Sequence, residues 1–236
     1  MNTSKIYWAP AAYNTDTDWD ILYENPTILF DNLKNKKDKN LDKAKNLFLC
    51  PAVKNLTSRV VVFKCPLRTH YTIDNENIIP VSQNYLGWDI PHKPNLIDNM
   101  LFSVKLSYIF FSEEDINMTM TSPFFSDSPH LQYGSIVPGS FNISHWFRNI
   151  NLEFNIWNKK EFKIEEGEDI AYFNFNCKNN IELSRFNMNE YLNKIKNTCS
   201  TSSSWEKWIP LAKRYKRFKQ SQLNKKVIKE IKKNLI

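Results

Sequence analysis

Glycine is scarce in this chain, with four among 236 residues. Loops that cradle phosphates need several glycines at fixed spacing, because only a residue without Cβ lets the backbone close around the anion. No Walker loop, dinucleotide fingerprint or Ser-His-Asp ordering occurs, so phosphate cradles of that type are excluded. Cysteine is sparse as well. Cys50, Cys65, Cys177 and Cys199 stand far apart and none belongs to a Cys-x-x-Cys pair. Such spacing does not suit a structural zinc, and buried free thiols are the expectation. No apolar run approaches the roughly 18 residues that a membrane span needs. No secretory segment follows Met1, which predicts a reducing cytoplasmic setting.

Aromatic residues and lysine fill the space these absences leave. The content of 42% hydrophobic, 14% aromatic and 24% charged residues is that of a packed globular chain with β-sheet rather than a disordered one. The net charge of +7 is unevenly placed. Residues 205–236 hold eleven Lys/Arg against two Asp/Glu, so the rest of the chain is slightly acidic.

Period-two alternation dominates from residue 47 to 187. A strand is expected at Leu47–Val53 with Pro51 confining it to an edge, and a buried one at Arg59–Cys65. Arg68–Ile73 and Ile78–Val81 read as a hairpin. Leu101–Phe111 and Ile116–Thr121 follow, then an aromatic loop, Ser122–Tyr133. Ile150–Ile156 alternates, Asn158-Lys159-Lys160 supplies a hairpin turn, and Glu161–Ile164 returns. Gly167 lies in a turn that calls for positive φ, before Ile170–Cys177. Ile181–Phe186 closes the sheet. Before this block, Asn25 and Pro26 predict a short helix over Pro26–Leu33. After it, Asn189–Asn197 is helical by composition, and 198–204 is a polar linker. A capping-box spacing opens a helix at Trp205. Val227, Ile231 and Leu235 then recur every four residues opposite a lysine-rich face. The predicted organisation is an irregular segment at 1–46, a β-rich core at 47–187 and a basic helical arm at 188–236. The fold class is mainly β (α+β).

The stretch from Val137 to Cys177 contains Pro-Gly-Ser-Phe-Asn, then NLEFNIWN, then FKIEEGEDIAYF. It resembles the central segment of the dUTPase and dCTP-deaminase superfamily over about forty residues, which implies a β-clip or distorted β-sandwich core. Asn142 stands where that family places its catalytic Asp, and an amide cannot take a proton from water as a carboxylate does. The family's phosphate loop and Gly-rich arm are absent from this chain. The resemblance therefore implies the scaffold without the enzyme. More broadly, runs such as YIFFSEEDINMTMTSPFFSDSPHLQYGSIVPG and LAKRYKRFKQS resemble an uncharacterised family of tailed phages of marine bacteria. That implies action in a host cytoplasm or a virion, as a homo-oligomer or with another phage or host protein.

Candidate sites remain few. Arg214, Tyr215, Lys216, Arg217, Phe218 and Lys219 interleave cations with aromatics, a pattern suited to partner binding and to stacking on single strands. Nucleic acid is thus one partner class open to 205–236, although such a helix more often packs its apolar stripe on its own sheet or on a neighbouring subunit while its lysines face water. His130 and His145 flank the Pro-Gly turn and Asp127 lies near His130, so a two-His-one-carboxylate iron site is an alternative. Asn142 joins these as an alternative nucleotide contact, in a diverged dUTPase-like hydrolase or binding protein. Satisfied loop histidines are the commoner outcome. Glu165, Glu166, Glu168 and Asp169 crowd one turn and read as a solvated run. The leading expectation is a non-enzymatic protein acting in assembly or partner binding through its C-terminal arm and aromatic loops, with no cofactor and no bound metal.

Overall fold

A computed structural model describes residues 3–11, 24–35, 50–74, 77–81, 100–105, 108–158, 160–200 and 209–236. The strands are β1 (Thr3–Pro10), β2 (Thr27–Ile28), β3 (Val60–Lys64), β4 (Thr69–Asp74), β5 (Asn77–Pro80), β6 (Met100–Lys105) and β7 (Tyr108–Phe111). They continue as β8 (Asn117–Thr121), β9 (Gly134–Ile136), β10 (Gly139–Asn142), β11 (Asn151–Ile156), β12 (Glu161–Ile164), β13 (Asp169–Asn176) and β14 (Asn180–Arg185). The helices are α1 (Leu29–Asn35), α2 (Pro51–Thr57), α3 (Glu190–Ser200), α4 (Leu211–Gln220) and α5 (Leu223–Lys233). The fold is mainly β with a few helices, as the alternation predicts.

Among the described residues the sheets run β10-β8-β13-β3-β2, β14-β1-β7, β6-β11-β9 and β12-β4-β5. Pairing is antiparallel except between β1 and β14. The sheet β14-β1-β7 acts as a partition. On β1, Ile6 and Trp8 face the principal core while Tyr7 and Ala9 face a second core under the helices; on β7, Tyr108 and Phe110 oppose Ile109 and Phe111 in the same way. Strand periodicity sends successive side chains to opposite faces, so β1 from Ile6 onward and β7 are buried on both sides. The principal core is aromatic, with Tyr71, Phe102, Phe154 and Phe162 in mutual contact at centroid separations of 5.1–6.5 Å. The second core joins Phe111, Phe147 and Phe186 to Leu192 of α3, Phe218 of α4 and Val227 and Ile231 of α5.

Several expectations need correction. Pro51 does not sit on an edge strand. It opens α2 at a position where the missing N–H costs nothing. Pro26 starts no helix; Thr27–Ile28 pairs with β3 and α1 begins at Leu29. The apolar run from Leu101 to Phe111 is two strands, β6 paired to β11 and β7 paired to β1. The hairpin expected at Asn158 does not form. β11 pairs with β6 and β9, whereas β12 pairs with β4, so consecutive strands enter different sheets. Ile181–Phe186 closes a different sheet, beside β1. The linker expected at 198–204 begins inside α3, which extends to Ser200. The Leu47–Leu49 part of the expected edge strand and the helix opening at Trp205 lie outside the described residues.

Among the described residues two glycines are required. Gly167 has φ of +74° in the turn before β13, which a side chain would strain. Gly134 lets β9 approach β11 closely: a Cβ there would lie 2.7 Å from the Asn155 carbonyl oxygen.

Candidate functional site

The acidic turn that reads as solvated is in part buried. Glu168 is 9% exposed and Asp169 3%. Glu168 Oε1 accepts hydrogen bonds from the His130 backbone N–H and from His130 Nδ1, each at 2.7 Å. Its Oε2 accepts from the Glu165 N–H at 2.7 Å. Burial works to raise the Glu168 carboxyl, but the His130 ring, the His130 amide and the Glu165 amide outweigh it and hold it below its ordinary value. An ionised carboxylate only accepts, so Nδ1 carries a proton, while the buried Nε2 has no hydrogen-bond partner among the described residues. Ser128 Oγ donates to the Asp169 carbonyl at 2.7 Å. The result is a clasp between the 122–133 loop and the Gly167 turn. His130 is fully buried against Phe154, so the clasp offers no face to a substrate. Its chemistry is positional.

The alternative site residues do not converge. Asp127 is exposed and His130 is engaged by Glu168. His145 lies elsewhere, its imidazole held below the ordinary value by burial and by the Lys219 charge, against the opposing pull of Asp115. Among the described residues no group of three or more His, Cys, Asp or Glu is arranged to hold a metal ion. Asn142 anchors a turn: its amide nitrogen donates to Asp115 and, at 3.3 Å, to Asn117, while its oxygen accepts from the Ser144 N–H and Oγ at 2.9 and 2.6 Å. The Cys65 thiol is buried and pushed up to about 12, mainly by desolvation, which leaves it a packing residue and no nucleophile. It borders a cleft of about 570 Å³ between residues 24–27, β3 and the Gly167 turn. Phe125 of the aromatic loop packs on a small core of Leu29, Val60, Val62 and Tyr172, and Phe124 remains half exposed.

The helical arm divides the residues singled out in its sequence. Phe218 is 4% exposed and packs edge-on against Phe111 at 6.4 Å. Tyr215 meets the Trp146 ring at a centroid distance of 4.1 Å. Arg214 is half-buried, its Nε donating to the Ile209 carbonyl at 3.2 Å. Lys216, Arg217 and Lys219 are exposed. On α5 the same division repeats: Val227 and Ile231 are fully buried while Lys225, Lys226 and Lys229 face solvent. Leu235, the last residue of the four-residue repeat, is exposed. A stripe of four-residue spacing has one wide apolar face, and here that face is covered by the sheet. Lys232 is bonded to Glu113 and Lys233 to Glu230, the latter at 2.9 Å.

Sequence reasoning missed Glu168 as a structural centre. The available signal was a lone histidine in an aromatic loop, a residue that needs a partner once buried. Comparison with family models, with curated proteins and with solved structures finds no match for this chain. The resemblances to the dUTPase superfamily and to phage proteins therefore stand on the residue runs quoted for them.

Proposed function

We propose that this is a non-catalytic binding protein whose docking face is the outward side of α4 and α5, and that its partner is acidic. One observation carries the reading. The apolar stripe of both helices is spent within the chain, with Phe218, Val227 and Ile231 at 4%, 0% and 0% exposure, while Lys216, Arg217, Lys219, Lys225, Lys226 and Lys229 point to solvent. With that stripe covered, what the outward side of the two helices offers a partner is a dense positive field. The slight net acidity of the remaining chain makes that field local. Phage origin, action in a host cytoplasm or virion, and a role in assembly belong to the same proposal and rest on the quoted sequence runs.

Fluorescence anisotropy with labelled single-stranded DNA, duplex DNA and polyglutamate tests it. Binding should weaken steeply between about 50 and 200 mM salt, as for contacts that release counterions. Exchanging Lys216, Lys219, Lys225 and Lys226 for Gln should reduce the salt slope by about one per lost phosphate contact. Absence of binding to every polyanion at the lower salt, or binding indifferent to the four substitutions, would overturn the reading.

A further inference from the structure

The outward face of the sheet β6-β11-β9 carries three oxygen atoms that the fold leaves unpaired. Alternation along β11 sends Leu152, Phe154 and Ile156 into the principal core and Asn151, Glu153 and Asn155 to the other side. Register then sets the neighbours. Glu153 lies directly opposite Ser103 of β6, and Asn155 follows two positions along, between Leu101 of β6 and Ser135 of β9. Residues so placed have Cβ atoms about 4.5–5.5 Å apart across the strands and about 7 Å apart along one of them. Ser103 Oγ, Glu153 Oε2 and Asn155 Oδ1 are each shut off from solvent, and none has a hydrogen-bond partner among the described residues. Ser103 is 3% exposed, although it sits on the side away from the principal core. A buried acceptor that meets no donor is costly, and three on one patch of sheet call for an occupant.

We infer that these three oxygens bind a divalent cation, with Ca²⁺ the best match. The donors choose the ion. Carboxylate, amide and hydroxyl oxygens are hard ligands, and Ca²⁺ takes mixed oxygen ligands in flexible geometry, with water completing its shell. Mg²⁺ demands a near-ideal octahedron, and softer metals favour nitrogen and sulfur, neither of which is among the three donors. A bare ion also suits atoms closed to solvent better than a partner's lysine, which would need a channel as wide as its side chain. Glu153 is half-buried, so its carboxylate stands at the boundary with solvent, where an ion enters. One carboxylate among the donors places the affinity at about 10⁻⁴–10⁻³ M, the weak end of calcium sites. This patch shares no residue with the cationic face of α4 and α5 and is independent of polyanion docking.

Terbium luminescence and calorimetry on the chelator-treated full chain test the site. Trp157 follows Asn155 by two residues and is 43% exposed, close enough to sensitise Tb³⁺ bound there. One Tb³⁺ per chain should bind with sensitised emission, Ca²⁺ should displace it, and Trp157→Phe should remove most of the emission. Glu153→Gln should weaken Ca²⁺ at least tenfold, and Ser103→Ala by a smaller factor. Without Ca²⁺, Glu153→Gln should melt no lower than the unsubstituted protein, because it removes a charge whose Oε2 has no partner. With 10 mM Ca²⁺, the melting temperature of the unsubstituted protein should rise and that of Glu153→Gln should not. No rise at matched ionic strength, as expected if hydration alone satisfies the oxygens, would overturn the proposal. So would Ca²⁺ affinity unchanged by Glu153→Gln and Ser103→Ala, or emission that survives Trp157→Phe. A lower melting temperature for Glu153→Gln without Ca²⁺ would show that the carboxylate already has a partner, with the same consequence.

Discussion

At the scale of single residues, Glu168 shows how a charged side chain becomes structural. A carboxylate in a turn of acidic residues solvates freely unless donors are brought to it, and the His130 ring, the His130 amide and the Glu165 amide are all brought to this one. Because its folded value is depressed, its contribution to stability is fully present above the unfolded carboxyl value of about 4.3. That contribution is lost as pH falls through the lower folded value. Glu168→Gln should destabilise the protein at pH 7 by about 1–3 kcal/mol. The gap to the unsubstituted protein should shrink at acid pH, as read by urea unfolding at the two pH values. Glu161, Glu190 and Glu230 are depressed by their own partners; they are common to both proteins and cancel in the difference. A gap that does not change with pH would mean that Glu168 acts by packing alone.

At the scale of elements, α4 carries two kinds of residue whose effects separate cleanly. Phe218 is packed between Phe111 and the helices, so Phe218→Ala should cost about 3–5 kcal/mol through lost burial and a cavity. Lys216 and Lys219 are exposed. Their replacement by Gln should move stability by no more than about 0.5 kcal/mol and act on polyanion binding instead. Thermal unfolding of both variants checks the division. The helix itself was legible in the sequence, but Tyr215 and Phe218, read there with the cations as partner-binding residues, turn instead to the second core. Strand positions were legible too, since β3, β4, β8, β11, β12 and β13 fall where alternation or an apolar run put them. Their partners were not. Nothing local to Trp157-Asn158 says that β12 should cross to β4, since pairing is settled by which faces must be covered and lies beyond any period of two.

At the scale of the whole molecule, the chain closes on itself. β1 pairs in parallel with β14, Phe186 bridges Leu235, and the Ile236 N–H bonds to the Arg185 carbonyl at 3.1 Å. Removing residues 223–236 should therefore do more than delete a binding element. It would expose the face of β1 and β7 that meets Val227 and Ile231, and an apolar patch of that kind invites association. We expect a truncated chain to lose its cooperative thermal transition or to aggregate, measured by circular dichroism and light scattering. A truncated chain that melts as sharply as the full one would show that α5 only rests on the surface.

Much of this protein follows from residue order alone: strand periodicity, the glycine turn at 167, the basic amphipathic helices and the improbability of phosphate-loop chemistry. These depend on side chains a few positions apart, whose geometry the backbone dictates. Tertiary structure decided which strands meet, that Glu168 is drawn inside to His130, that Asn142 is occupied in a turn, and that Ser103 comes to lie opposite Glu153. Each of these joins residues distant along the chain, and their meeting is determined by the packing of the whole core.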